Sequence, residues 1–255
     1  MRKVRVGMIK AEPVKWNRRK NWNKLDRLVR EAVWRGAKLV IMPECFLDGY
    51  VIHEKRCTPQ SLRRIAERGE KGTYVRKFSA LARELGLYLV AGFTDTPDGK
   101  TFYNAAYLFD PRGGVAGKYY KIHVARGYTP GDALPVFHTT FGQVGILICA
   151  DRRWPENIRI LALKGAELIL IPSYGMWHEA NECWMRTRGY ENGVYICFTH
   201  PKVALLVNPR GSVEAKLIGN VDDVLVHDID LDAVTHTHLH DRRPDLYQTL
   251  TEPFS

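Results

Sequence analysis

Two distant stretches of the chain repeat one pattern. Trp34-Arg-Gly-Ala-Lys-Leu-Val-Ile-Met-Pro-Glu44 in the first half is answered by Leu163-Lys-Gly-Ala-Glu-Leu-Ile-Leu-Ile-Pro-Ser173 in the second. In each, a helical segment stops at glycine, which accepts the left-handed conformation that closes a helix. A short apolar run follows and leads into proline and a polar residue. An apolar run without alternation suits a strand buried on both faces of its sheet. The pattern recurs around these stretches. Trp22, Leu25, Leu28, Val29, Ala32 and Val33 share one helical face ahead of the first strand. A second helix over about 73–85 ends at Gly86 and feeds the strand Leu87–Phe93. In the second half, helices over about 156–164 and 179–192 precede their own strands. Helix, glycine and strand thus occur twice per half. This predicts one α/β domain, 1–255, built from two similar halves around a shared core. Each half also carries a hairpin signal: Asn104–Asp110 turning at Pro111-Arg-Gly-Gly114, and Val203–Val207 turning at Asn208-Pro-Arg-Gly211.

Composition excludes several classes. With 45% hydrophobic and 26% charged residues, the 255-residue chain can bury a large core and is not a disordered one. No apolar stretch approaches the ~20 residues of a membrane span, and the N-terminus lacks a secretory core of ~7–15 apolar residues, so a cytoplasmic protein without a membrane partner is expected. Cysteines 45, 57, 149, 183 and 197 contain no C-x-x-C pair, so neither a disulfide framework nor a cysteine-rich metal site is expected. Residues 1–126 hold 27 Lys+Arg against 12 Asp+Glu, whereas 127–255 hold 11 against 16. A basic half raises the question of a nucleic-acid partner. However, its cations sit at helical spacing, as a solvated helix face requires, and no nucleic-acid motif accompanies them. Gly99-Lys100-Thr101 and Gly117-Lys118 are not phosphate loops, because Thr94 and Arg112 stand where the first glycine would be. His236, His238 and His240 alternate as on an exposed C-terminal strand or loop, and no carboxylate arrangement accompanies them as a metal site would need.

Three residues carry the chemistry. Cys149 ends the run Gln143–Cys149 and precedes Ala-Asp-Arg-Arg-Trp-Pro-Glu156, a helix start. A thiol at a strand-to-helix corner can be held rigidly and still face a cleft, and a neighbouring cation or helix terminus lowers its pKa. Glu44 ends the first echo strand among apolar neighbours, where a carboxylate can serve as a general base. Lys121 lies in Lys118-Tyr-Tyr-Lys-Ile-His123, where its neighbours suggest partial burial.

In this order, Pro-Glu-Cys-Phe, Tyr-Lys-Ile-His and Cys-Ala-Asp-Arg-Arg-Trp-Pro-Glu, the chain resembles the nitrilase superfamily of carbon–nitrogen hydrolases. Thr129-Pro-Gly-Asp132, Lys164-Gly-Ala166, Arg188 with Glu191-Asn-Gly193, and Arg242-Arg-Pro-Asp-Leu-Tyr247 extend the resemblance over nearly the whole chain. It implies a four-layer α-β-β-α sandwich that dimerises by further packing. It also implies a catalytic Glu44–Lys121–Cys149 triad that needs no metal or organic cofactor. The residues after Cys149 are similar to those of N-carbamoyl-amino-acid amidohydrolases and related amidases. On that likeness Arg152 and Arg153 are candidate carboxylate ligands, and Tyr174 and Trp177 candidate walls of the acyl pocket. The expected activity is hydrolysis of a linear amide or N-carbamoyl amino acid with release of ammonia. The same triad also serves nitrile hydrolysis and acyl transfer, and an impaired member could act in protein interaction. Two departures bear on this. Family members commonly carry a second glutamate between the lysine and cysteine motifs, and here there is none between Lys121 and Cys149; His123 and Asp132 are the available substitutes. The stretch after Thr199-His-Pro-Lys202 is also shorter than the family pattern.

Overall fold

The computed structural model describes residues 2–175 and 179–252. In the first half, β1 (Lys3–Lys10), α1 (Arg18–Trp34), β2 (Leu39–Ile41), α2 (Pro59–Ile65), α3 (Thr73–Leu85), β3 (Tyr88–Asp95), β4 (Tyr103–Phe109) and β5 (Val115–Tyr120) follow in order. The second half runs β6 (Val136–His138), β7 (Gln143–Ile146), α4 (Pro155–Leu163), β8 (Leu168–Pro172), α5 (Glu179–Asn192), β9 (Tyr195–His200), β10 (Val203–Val207), β11 (Val213–Ile218) and β12 (Asp223–Asp230), before the short α6 (Thr237–His240). All four helix-to-strand links turn on a left-handed glycine: Gly36, Gly86, Gly165 and Gly193 have φ of 88°, 61°, 92° and 62°. Any other residue there would strain the backbone.

The strands form two six-stranded sheets, ordered β12-β1-β2-β3-β4-β5 and β11-β10-β9-β8-β7-β6. Each has parallel strands in the middle and antiparallel ones at both ends. The repeat reaches one strand beyond the echoed sequence. Val6 and Gly7 pair with Leu39 and Val40 as Val144 and Gly145 pair with Leu168 and Ile169. Both hairpins even carry the same irregularity, at Leu108/Phe109 and Leu206/Val207. One strand crosses between the halves: β12, from the far end of the chain, pairs along all of β1 and completes the first sheet.

Alternation decides the layers. Val4, Val6, Met8, Leu39, Ile41 and Val90 face the second sheet and share its core. The intervening Ile9, Val40, Leu89 and Ala91 face Leu25, Leu28 and Val29 of α1 and Val75 and Phe78 of α3. Ile158 and Leu161 of α4 and Met185 of α5 cover the second sheet's outer face. The result is the expected α-β-β-α sandwich as one domain.

The basic face of α1 is largely paired within its own layer: Arg18 with Glu67, Lys24 with Asp222, and Arg30 with both Asp26 and Glu84. The C-terminal histidines, expected on an exposed strand or loop, lie at a short helical turn. His236 takes φ 50°, and Thr237–His240 form one helical turn.

The echoed strand ends meet in space. Glu44 follows β2 as Ser173 follows β8, and the Glu44 N–H donates to the Ser173 carbonyl at 3.3 Å. Thr199 at the end of β9 donates its hydroxyl to Met42 O at 3.2 Å. The Pro43–Cys45 turn also lies on β3, at Gly92. A Cβ there would stand 2.9 Å from Pro43 O and 3.0 Å from Cys45 N, so the glycine permits the approach that seats Glu44.

Candidate active site

Glu44 sits at the end of a fully buried strand and is itself 1% exposed. A carboxylate in such a place must be paired and hydrogen-bonded. Lys121 Nζ lies 2.6 Å from Glu44 Oε1, and Asn104 Nδ2 donates to the same oxygen at 2.7 Å. The Tyr174 backbone N–H donates to Oε2 at 3.1 Å. Lys121, 5% exposed, follows β5, and its own N–H donates to Asn104 O. Burial works against its charge, yet Glu44 and Cys149 hold its pKa above the ordinary lysine value, so it stays an ammonium.

Cys149 follows β7 at φ 49°, a left-handed conformation rarely adopted by a residue with a side chain. It opens a short 3₁₀ turn, Cys149–Arg153, that leads into α4. The thiol's pKa is raised, not lowered as its position in the sequence suggested. Burial and the charge of Glu44 push it up, and they outweigh Lys121 and Arg152. Cys149 is therefore held as a thiol, and Glu44 is the carboxylate whose charge reaches it.

Asp151 holds the turn in place. Fully buried, its carboxylate accepts from the Tyr119 hydroxyl at 2.7 Å and the Ile148 N–H at 3.1 Å through Oδ2. Through Oδ1 it accepts from the His123 N–H at 3.0 Å and His123 Nδ1 at 2.9 Å. One side chain thus ties the Cys149 turn to the segment that carries Lys121. In sequence it reads as an ordinary acid at a helix start. Asn104 reads as one polar residue opening a strand. Neither residue's role could be inferred before the strands were placed.

Above these residues opens a cavity of about 720 Å³ that reaches Cys149 and Lys121. The expected substrate residues divide. Arg152 lines it but is 1% exposed; Nε and Nη2 both donate to Asn181 Oδ1, at 2.8 and 2.5 Å, and Nη1 lies 3.4 Å from Cys149 Sγ. Its guanidinium is thus held by Asn181 against the Cys149 sulfur at the edge of the cavity. Arg153 is exposed on the cavity rim. Tyr174 forms part of the wall, stacked on Tyr50 with ring centroids 4.2 Å apart, and Lys15 Nζ lies 4.5 Å from its ring. Trp177 lies outside the described residues. Of the two substitutes for the second glutamate, His123 lines the cavity, whereas Asp132 is exposed and does not. Among the described residues, no group of three His, Cys, Asp or Glu side chains is placed to hold a metal.

Residues 5–238 match the family model described as carbon-nitrogen hydrolase. The chain belongs to the carbon-nitrogen hydrolase family. Among related family members, a nitrilase of Pyrococcus abyssi is 33% identical, with 98% of each chain covered. Omega-amidase NIT2-B of Xenopus laevis is 30% identical, with 91% of this chain and 90% of that one covered. The fold agrees with a carbon-nitrogen hydrolase from Helicobacter pylori G27 at a TM-score of 0.89, with 23% identity and 99% of each chain covered. An amidase from Nesterenkonia sp. AN1 superimposes at 0.82 with 96% of each chain covered; that structure carries the acetamide moiety of fluoroacetamide on its active-site cysteine. The chain is thus a carbon-nitrogen hydrolase of the nitrilase superfamily. In it, Lys121 and Cys149, just beyond β5 and β7, line one cavity, and Glu44, just beyond β2, is bonded to Lys121. Among the described residues, no helix is long and apolar enough to cross a membrane.

Proposed function

We propose that the protein is a thiol amidohydrolase that cleaves linear amides or N-carbamoyl amino acids bearing an anionic group. The observation that carries this reading is the buried Lys121–Glu44 pair, whose lysine lines one cavity with the Cys149 thiol. Cys149 Sγ attacks the carbonyl carbon while Glu44 takes the thiol proton. The Lys121 ammonium, with a backbone N–H at the Cys149 turn, stabilises the tetrahedral oxyanion. The carbon–nitrogen bond breaks as Glu44 returns the proton to the leaving nitrogen, and ammonia departs from a thioester on Cys149. Water then gives a proton to Glu44 and attacks the thioester, and the sulfur leaves as the product acid forms and takes back that proton.

The charge of the cavity supports an anionic substrate. Among the described residues, its ionisable lining beyond the tyrosines and Cys149 is Lys15, His53, Lys121, His123, Arg152 and Arg153, with no Asp or Glu. Arg153 and Lys15 at the mouth can meet a substrate carboxylate as the amide end reaches Cys149. The expectation of a homodimer stands on one further feature. Ile160 and Leu163 of α4 and Leu246 and Leu250 beyond α6 are 36%, 46%, 66% and 64% exposed, apolar surface that a second copy would cover. Light scattering that gives a monomer at micromolar concentration would remove that part of the reading.

The test is ammonia release from a panel of N-carbamoyl amino acids, ω-amides of dicarboxylic acids, neutral amides and nitriles. Release from the carboxylate-bearing amides, lost in Cys149→Ala, supports the reading. Release from nitriles alone would make the enzyme a nitrilase. A new amide formed from an added amine would make it an acyltransferase.

A further inference from the structure

An amide substrate presents two N–H donors on the nitrogen that is to leave. Among the described residues, the charged side chains that line the cavity are lysines and arginines, which donate and cannot accept, and the Glu44 carboxylate next to Lys121 already accepts from Lys121, Asn104 and the Tyr174 N–H. The second glutamate that the resemblance led us to expect is absent between Lys121 and Cys149. His53, the other histidine among the described lining residues, stands exposed at the rim. His123 is placed differently. It lies two residues beyond Lys121 and lines the same cavity as Cys149.

Its orientation is fixed by three contacts. Asp151 Oδ1 receives both its backbone N–H and Nδ1, at 3.0 and 2.9 Å. The ring stacks on Trp154 with centroids 3.5 Å apart and planes 5° from parallel. A carboxylate that accepts from Nδ1 fixes the proton there, so Nε2 of the neutral ring carries the lone pair. Among the described residues no protein group is bonded to that nitrogen, and the side chain keeps 31% exposure. The geometry points to His123 as a further substrate-binding residue of this enzyme: its Nε2 accepts a hydrogen bond from the scissile amide nitrogen and so stands in for the missing glutamate. Asp151 and Trp154 are the residues that position it. This inference rests on the amidase reading above.

The experiment uses the best amide of the ammonia-release panel and the methyl ester of the same acid, which has no N–H to donate. The ester is followed by its turnover, or by its Ki as a competitor. His123→Asn keeps a donor where Nδ1 meets Asp151 and removes the Nε2 acceptor. His123→Gln places an amide oxygen near the Nε2 position. The expected result is a loss of about tenfold in kcat/KM for the amide in His123→Asn, the size of one hydrogen bond. The ester should change less than about twofold, and His123→Gln should recover most of the loss. Equal losses on amide and ester would show that His123 only supports the fold of the site, and an amide rate unchanged in His123→Asn would also overturn the proposal. A wild type that releases ammonia from no amide would overturn the amidase reading itself, and this inference with it.

Discussion

Replacing Lys121 with methionine separates the two tasks that the proposed mechanism gives this residue. Its ammonium neutralises Glu44 in the folded protein and, in the reaction, the oxyanion. Glu44 and Lys121 are 1% and 5% exposed, so water can screen neither. Removing one partner of a buried ion pair leaves an uncompensated charge, which typically costs ~3–5 kcal/mol. Asn104 and the Tyr174 N–H still donate to Glu44 in the variant, which places the cost near the low end, about 3 kcal/mol. The double variant Glu44→Gln/Lys121→Met buries no charge at the pair and should recover most of that loss, leaving about 1 kcal/mol. Activity should not follow stability. Loss of one oxyanion donor costs about 10²–10³ in kcat, so both variants should be nearly inactive. Urea unfolding of wild type, both single variants and the double variant, with amide turnover in parallel, completes the cycle. If the stability effects of the two single variants simply add in the double one, the buried pair is not coupled and the electrostatic account of the site is wrong.

Asp48 is fully buried, and burial raises its pKa from 3.8 to about 6. The native state then holds a proton that the unfolded state has released, so stability should fall as pH rises from ~4 to ~6, by about 3 kcal/mol in all. Asp48→Asn should flatten that part of the pH–stability curve, and an unchanged slope would assign it to another group. The raised pKa of Cys149 predicts slow alkylation at neutral pH, after the exposed Cys183. Glu44→Gln removes a charge that raises the pKa and should move the pH midpoint of Cys149 alkylation downward; peptide mapping after iodoacetamide treatment at several pH values checks both. Gly92→Ala pushes a methyl against Pro43 O and Cys45 N and should lower kcat at least tenfold by displacing Glu44. Wild-type kcat in that variant would mean that the turn yields without moving the carboxylate.

The halves of the sandwich were legible because their cue is local. A left-handed glycine after each helix and an unbroken apolar strand occur within single short stretches. The order of strands within each sheet was harder to read. Strand β12, Asp223-Val-Leu-Val-His-Asp-Ile-Asp230, alternates only weakly, and its partner β1 lies at the other end of the chain. No local pattern encodes that pairing. Glu44, Lys121 and Cys149 were legible because each stands in a recognisable run at a strand end. The residues that align them were not. Asn104 and Asp151 gain their roles only when β4, β5 and the Cys149 turn are brought together, and the Tyr174 contact is a backbone N–H that any residue would supply. What holds Arg152 was not legible for a related reason. Two adjacent arginines look like a fork for a ligand, but Asn181 holds one of them inside the protein. The direction of the Cys149 pKa was misread because a nearby cation was weighed without the burial and the carboxylate that oppose it.

The central claim is that the Cys149 sulfur carries the acyl group during turnover. Wild-type enzyme turning over an amide is quenched in acid and digested, and the peptides are weighed. The account predicts the mass of the acyl group on the peptide containing Cys149, on none of the peptides containing Cys45, Cys57, Cys183 or Cys197, and its absence from Cys149→Ala, which should be folded and inactive. Turnover that persists in Cys149→Ala would contradict it.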